Sequence, residues 1–412
     1  MNTGITKTQE KMKLPSDRDS SGRNFGKEEV ELLKQVIKSG NLFSISGTMC
    51  KKFEEEFSKL YNVKYTVCCS SGSAAIYTAL AAINPNPGDE VITTPITDMG
   101  ALTPIIYQNA VPVFCDVDPQ TYNVTAETIA KKITPKTRAI IVTHLFGGPC
   151  EMDAIMELAR KHNIPVIEDC AQAFLAEYHG KLVGTIGDIG CFSTQQGKHL
   201  SSGEGGFVIT NNPDYARRMR LFVNKAWGYG DPKPDHYFLS LNYRISELTG
   251  AVLLAQLSKL DKVVKNRCEM AAKMDKMLSK VKGLSTPKVY PDCKHTYWKY
   301  CLRIDEKTLG ADVVTFANKL KDYDLASAPR YIQKPAFMCS VIKDANTFGT
   351  SHYPLEVKNM DNWQNEYPGT QKALAEVLVL PWNEFYKPKH VKYIADSIKD
   401  AAKYFKENKG AK

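Results

Sequence analysis

The stretch Tyr65-Thr-Val-Cys-Cys-Ser-Ser-Gly-Ser-Ala-Ala-Ile-Tyr-Thr-Ala-Leu-Ala-Ala82 decides the fold class. It opens on five β-branched or apolar residues, passes through a Ser-Ser-Gly turn and closes on an apolar helical run. A strand that feeds a helix through a tight turn is half of a βαβ unit. The alternation recurs downstream. Strands are expected at Glu90–Thr94, Val111–Val117, Ala139–His144 and Pro165–Asp169, with helices at Met99–Gln108, Ala126–Ile133 and Met152–His162 between them. This order predicts an α/β fold: a mostly parallel sheet with helices on both faces. Asp188–Thr194 and Gly206–Asn211 add two strands.

Working outward, helical periods precede this region at about Lys27–Ser39 and at Cys50–Tyr61. Residues 1–25 are polar and read as a flexible N-terminal arm. Ile245 to about Val281 reads as one long helix bridging to mixed strand and helix signals. The expected division is an arm over 1–25, a large α/β domain over 26–262 and a smaller α+β domain over 263–412.

The 412 residues are 43% hydrophobic and 24% charged, an ordinary globular balance that excludes disorder for most of the chain. The net charge is +9, and the excess lies late: from Ala251 onward there are 28 Lys and Arg against 18 Asp and Glu. No dense basic run with interleaved aromatics accompanies it, so a solvated Lys-rich face is expected, not a nucleic-acid partner. The eleven Cys form no CxxC pair. Several sit in apolar runs, which suits a reducing, cytoplasmic setting. The first residues have no apolar signal region, and no apolar stretch approaches the ~20 residues of a membrane span, so no membrane partner is expected.

In open α/β sheets ligands collect where strands end, and three of four candidate segments lie there. Ser70-Ser71-Gly72-Ser73 precedes a helix, so its hydroxyls and amides can cradle a phosphate; the plainer reading is a Ser N-cap. Glu168-Asp169-Cys170-Ala171-Gln172 ends an apolar strand on two carboxylates, which need a cation or a cap. Ser193 and Lys198 precede the turn Gly203-Glu204-Gly205-Gly206. A partly desolvated lysine has a depressed pKa and can form a Schiff base, although most lysines lie on the surface. Asn242-Tyr243-Arg244 begins the long helix. HExxH, GxSxG and zinc-spaced Cys/His clusters do not occur, so no metal is expected.

Taken in this order, Ser71-Gly72-Ser73-Ala74-Ala75, Glu168-Asp169-Cys170-Ala171-Gln172-Ala173, Phe192-Ser193 with Lys198, Gly203–Gly206 and Asn242-Tyr243-Arg244 resemble the DegT/DnrJ/EryC1/StrS family of pyridoxal-phosphate sugar aminotransferases. The resemblance implies fold type I, a pyridoxal 5'-phosphate cofactor and a homodimer with shared active sites. By the same resemblance, Lys198 is the cofactor-binding lysine and proton carrier, and Asp169 is the partner of the pyridine nitrogen. Gln172 lies against the ring. Ser71, Gly72, Ser73 and Ser193 match phosphate positions, and Asn242 matches a residue reaching the phosphate from the neighbouring subunit. The implied substrates are a keto-sugar or keto-cyclitol and an amino-acid donor, glutamate or glutamine. His144, Tyr229, Trp298 and Arg330 are candidate substrate contacts by position.

Many relatives place an aromatic ring over the cofactor from the segment that here reads Thr93–Gly100, which has none; Asp98 or Met99 stands there. Some relatives replace the lysine with His and act as deoxysugar dehydratases, so Lys198 favours amino transfer. A dehydratase is the alternative enzyme, and a non-enzymatic regulator with the same fold is a third reading.

Overall fold

The computed structural model describes residues 11–408. Its main sheet has seven strands: β1 (Tyr65–Cys69), β2 (Glu90–Thr93), β3 (Val111–Phe114), β4 (Thr137–Thr143), β5 (Val166–Asp169), β6 (Ile189–Ser193) and β7 (Gly206–Thr210). Their order is β1-β7-β6-β5-β4-β2-β3. Every pairing is parallel except those of β7, which runs against both neighbours. The expected strands are therefore present, in a mostly parallel sheet.

Both faces are buried, which explains the near-continuous apolar strands. Along β4, Ile140 and Val142 join one core with Phe57, Phe192 and Phe207. Ala139 and Ile141 point the other way, toward Ala75, Ala79 and Leu80 of the helix Gly72–Ile83. A second, antiparallel sheet is built from β8 (Leu284–Ser285), β9 (Lys299–Ile304), β10 (Ala328–Pro329) and β11 (Val377–Pro381), in the order β8-β9-β11-β10. Its core holds Tyr300, Leu302, Phe316, Leu380 and Trp382. Ala336, Phe337 and Tyr367 lie beyond β10 in sequence yet pack into the core of the main sheet.

Three expectations change. The long helix is two, Glu247–Leu257 and Leu260–Leu278. At the break the Ser258 hydroxyl donates to the Ala255 carbonyl, and the Lys259 ammonium is drawn to Glu29, at 2.8 Å, and to the Asn24 carbonyl. The first piece then lies on the helices Lys27–Ser39 and Met49–Tyr61, and the second on the C-terminal helix Pro388–Glu407. The expected helix over Met99–Gln108 is a 3-10 turn, Met99–Ala101, followed by Thr103–Tyr107. Pro104 has no amide to continue the first piece.

The expected flexible arm is anchored over residues 11–25. Asp17 pairs with Lys299 at 3.3 Å, and Arg23 is buried, because the arm's charges find partners on the chain behind them. Residues 1–10 lie outside the described residues.

Glu247 ties the N-terminal helices to the body. Its buried carboxylate accepts from the amides of Thr48, Met49 and Cys50 at 2.7, 2.6 and 3.0 Å, at the start of the helix Met49–Tyr61. Gly47 admits it: a Cβ there would lie 2.1 Å from Glu247 Cδ. Glu247→Ala leaves three amides without a partner and is expected to destabilise the fold by about 2–3 kcal/mol, measured by denaturant titration.

Candidate active site

Strands β1, β2, β4, β5 and β6 point the same way, so their carboxyl ends share one edge of the sheet. Asp169 ends β5, Ser193 ends β6, and Ser71–Ser73 and Asp98 follow β1 and β2. Lys198 comes up from the loop between β6 and β7. β7 begins at this same edge, and Gly206 is required there: a Cβ would lie 2.3 Å from the Ser71 carbonyl.

Asp169 is buried. Its Oδ1 accepts from the Ala171 amide at 3.0 Å. Burial pushes its pKa up, and the Ala171 amide and the Lys198 ammonium oppose that. Lys198 is half-buried, with Nζ 4.4 Å from the centre of the Trp298 ring. Burial pulls its pKa down to about 8, although the charges of Asp169 and Asp98 resist; Lys299 adds to the lowering. The Trp298 indole donates to the Gly197 carbonyl at 2.8 Å, which holds the ring beneath the lysine.

Gln172 is held from both ends. Its carbonyl accepts from the Phe146 amide at 2.7 Å, and its amide donates to the Tyr331 hydroxyl at 3.3 Å. Tyr331 packs edge-on against Phe146 and Trp298. Phe146, Arg330 and Tyr331 all have positive φ, at 59°, 67° and 56°. Such left-handed backbone in non-glycine residues is costly and gathers at functional sites.

Ser71 caps the helix Gly72–Ile83, its hydroxyl oxygen accepting from the Ala74 amide at 3.0 Å, as the plainer reading held. The amides of Gly72 and Ser73 take no partner among the described residues and stay open, at the positive end of the helix dipole. Gly72 faces Ser193 so closely that a Cβ would lie 2.6 Å from Ser193 Cβ. These amides, with the hydroxyls of Ser73 and Ser193, are a donor set that fits a phosphate dianion. Gly72→Ala should weaken binding of pyridoxal phosphate about tenfold or more, read by fluorescence titration of the apoprotein, since a shifted Ser193 or amide loses one charge-assisted hydrogen bond.

The open question at Thr93–Gly100 resolves. Met99 packs into the core. Asp98 is exposed, caps the 3-10 turn by accepting from the Gly100 amide at 2.8 Å, and its charge acts on Lys198. The aromatic surfaces near Lys198 come instead from Trp298 and Tyr331.

Of the four substrate candidates, only Trp298 stands at the lysine. His144 is fully buried. Its Nδ1 accepts from the Cys150 amide at 3.0 Å, which places its proton on Nε2, 2.9 Å from Glu168. Glu168 also accepts from the amides of Gly184, Ile186 and Gly187. His144, Glu168 and Cys170 are near enough to suggest metal ligation, but the first two already have their partners within the protein. Arg330 is exposed, and the neighbouring Tyr331 turns inward in its place. Tyr229 lines a separate surface cavity of about 340 Å³ with Arg217, Arg220 and Arg244. Asn242 is exposed, its side chain accepting from the Arg244 amide. Among the described residues neither shares a hydrogen bond, ion pair or ring contact with Lys198.

A lysine with a depressed pKa, a buried carboxylate and an anion cradle at one sheet edge define a pyridoxal-phosphate-dependent aminotransferase of fold type I. Residues 23–399 match the DegT/DnrJ/EryC1/StrS aminotransferase family, and the chain belongs to it. It is 36% identical to the GDP-perosamine synthase of Caulobacter vibrioides over 63% of this chain and 70% of that one. It is 35% identical to the L-glutamine:2-deoxy-scyllo-inosose aminotransferase of Streptomyces kanamyceticus over 73% and 74% of the two chains. Among solved structures, the aminotransferase of Psychrobacter cryohalolentis superposes with a TM-score of 0.83 at 29% identity, covering 93% of this chain and 99% of that one.

Proposed function

We propose that this enzyme moves an amino group from glutamate or glutamine to a keto-sugar, often nucleotide-linked, or to a keto-cyclitol, in amino-sugar, polysaccharide or aminoglycoside-type biosynthesis. The observation that carries the reading is Lys198, held over Trp298 and facing the charge of Asp169. The substrate class is supported by relatives whose names specify a GDP-sugar product and a keto-cyclitol substrate.

When bound, pyridoxal phosphate supplies an electron sink for the substrate carbon that loses its proton. Gly72, Ser73 and Ser193 would hold its phosphate, with Ser71 fixing the helix start. Asp169 would hold a proton at its ring nitrogen. Gln172, Trp298 and Tyr331 wall the site and restrict water. Lys198 Nζ takes the proton from the donor carbon and returns one to the acceptor carbon.

The lowered pKa of Lys198 gives it a far larger share of free amine near neutrality than an ordinary lysine has, reaching half at about pH 8. In the apoprotein, acylation of Lys198 should be half-maximal near pH 8, followed by peptide mass spectrometry. Between about pH 8 and the ordinary 10.5 the unfolded chain holds more of this proton than the folded chain. This group therefore favours the fold increasingly as pH rises through that window.

We place the enzyme in the cytoplasm as a homodimer. All eleven cysteines are free, and among the described residues no helix is long and apolar enough to cross a membrane. Leu239 is 95% exposed near Tyr237 and Leu241, which supports burial of this segment, with Asn242, against a second copy. The division into an arm, a large domain over 26–262 and a small domain over 263–412 is part of the same proposal. An acceptor screen with glutamine and glutamate as donors, read by mass spectrometry, tests the function. Ammonia release without an aminated product would instead establish the dehydratase.

A further inference from the structure

We propose that Glu384 is a positioning residue for Lys198, acting through Arg23 and Arg267; the proposal rests on the role given to Lys198 above. The Glu384 side chain is 5% exposed and lies between two buried guanidiniums. Its Oε1 accepts from Arg23 Nη1 at 3.2 Å and its Oε2 from Arg267 Nη2 at 2.6 Å. Arg23 Nη1 also donates to the backbone carbonyl of Lys198 at 2.9 Å. Arg267 Nη1 donates to the carbonyls of Tyr297, Trp298 and Trp382 at 3.3, 3.2 and 2.7 Å. One carboxylate thus fixes both the main chain that carries the lysine and the strand start that carries the ring beneath its ammonium.

Two guanidiniums buried together repel each other, and a carboxylate between them is what permits both to stay. The loop from Gln195 to Leu200 is neither helix nor strand, and its inner end is held by a bridge from Gln195 to Gly203. Besides the Trp298 indole on the Gly197 carbonyl and His199 on the Thr296 carbonyl, its ties come from the N-terminal segment: Arg23 on the Lys198 carbonyl, and the Asp17 carbonyl, which accepts from the Gln196 side chain at 3.0 Å. The groups whose charge bears on the Lys198 ammonium are Asp169, Asp98 and Lys299, and Asp17 pairs with Lys299. Glu384 therefore acts on the lysine's place more than on its charge.

Two variants test this. Glu384→Gln puts an amide where one guanidinium needs an oxygen. Arg23→Gln removes the tie to Lys198 while leaving the Arg267–Glu384 pair, and stands in should the first variant fail to fold. In the apoprotein of each, hydrogen exchange should speed up over residues 195–200 while β6 and β7 keep their protection. In the holoenzyme kcat should fall about 10²-fold with KM little changed. The double variant should be no slower than the slower single one. Unchanged exchange over 195–200 in both variants overturns the proposal, and so does exchange that rises equally across both sheets, the mark of a merely structural role. Borohydride reduction of the wild-type holoenzyme separates the two readings. Cofactor fixed elsewhere than Lys198 overturns the proposed function itself, whereas cofactor fixed on Lys198 with unaltered loop exchange and kcat in the variants overturns only the positioning.

Discussion

Lys198→Ala lowers the rate of amino transfer by about 10³-fold, measured as kcat under saturating donor and acceptor. A positioned proton carrier contributes about 10²–10⁴-fold, and no neighbour can replace this one. Lys299 is engaged with Asp17 at 3.3 Å. His199 is buried, its Nε2 set against the Thr296 carbonyl at 2.9 Å, and burial holds its pKa well below the ordinary range, so it neither reaches the substrate nor carries a proton to it. The loss is chemical and not one of folding. Lys198 Nζ makes no hydrogen bond among the described residues, and its loop is held through backbone atoms, so the thermal midpoint should stay within a few degrees of wild type. A variant within tenfold of the wild-type rate would remove Lys198 from the mechanism.

Asp169→Asn follows with a loss in kcat of about 10²-fold. The replacement keeps shape and the Ala171 amide contact but removes the charge proposed to hold a proton on the ring nitrogen. A hydrogen bond to a charged group contributes about 1.5–3 kcal/mol, equivalent to roughly 10–100-fold, and the ring's capacity to accept electrons falls with it. The same substitution has a second, independent signature. Asp169 raises the pKa of Lys198, so without it the lysine loses its proton more readily. The pH midpoint for acylation of Lys198 in the apoprotein should therefore drop below about 8. A midpoint that stays put would show that the two charges do not sense each other.

The strands of the main sheet were legible because both of its faces are buried, and runs such as Ala139–Val142 are apolar throughout. Ser71–Ser73, Asp169 and Lys198 could be singled out because each lies within a few residues of a strand end, where the fold delivers ligands. The helix over 245–281 misled because its apolar period continues across Ser258-Lys259, and only distant partners, Glu29 and Asn24, pull the chain apart there. His144 drew attention as a histidine after a strand, yet its carboxylate partner, Glu168, lies on another strand and seals it in. Tyr331 was missed altogether. It comes from the far part of the chain through a left-handed turn at Arg330-Tyr331, and no periodicity announces it. Arg23 and Glu384 escaped for a related reason: they are 361 residues apart and meet only in the folded chain.

The reversed strand β7 bears on how the protein is made. It sits between β1 and β6, yet it is the last strand of the main sheet to leave the ribosome. Until residues 206–210 are inserted, β1 has no neighbour in the sheet, and Ser71–Ser73 stand apart from Ser193, over a hundred residues onward. Pairings across such sequence distances form late, because closure of the intervening chain costs entropy first. A nascent chain shorter than about 210 residues therefore cannot retain the cofactor.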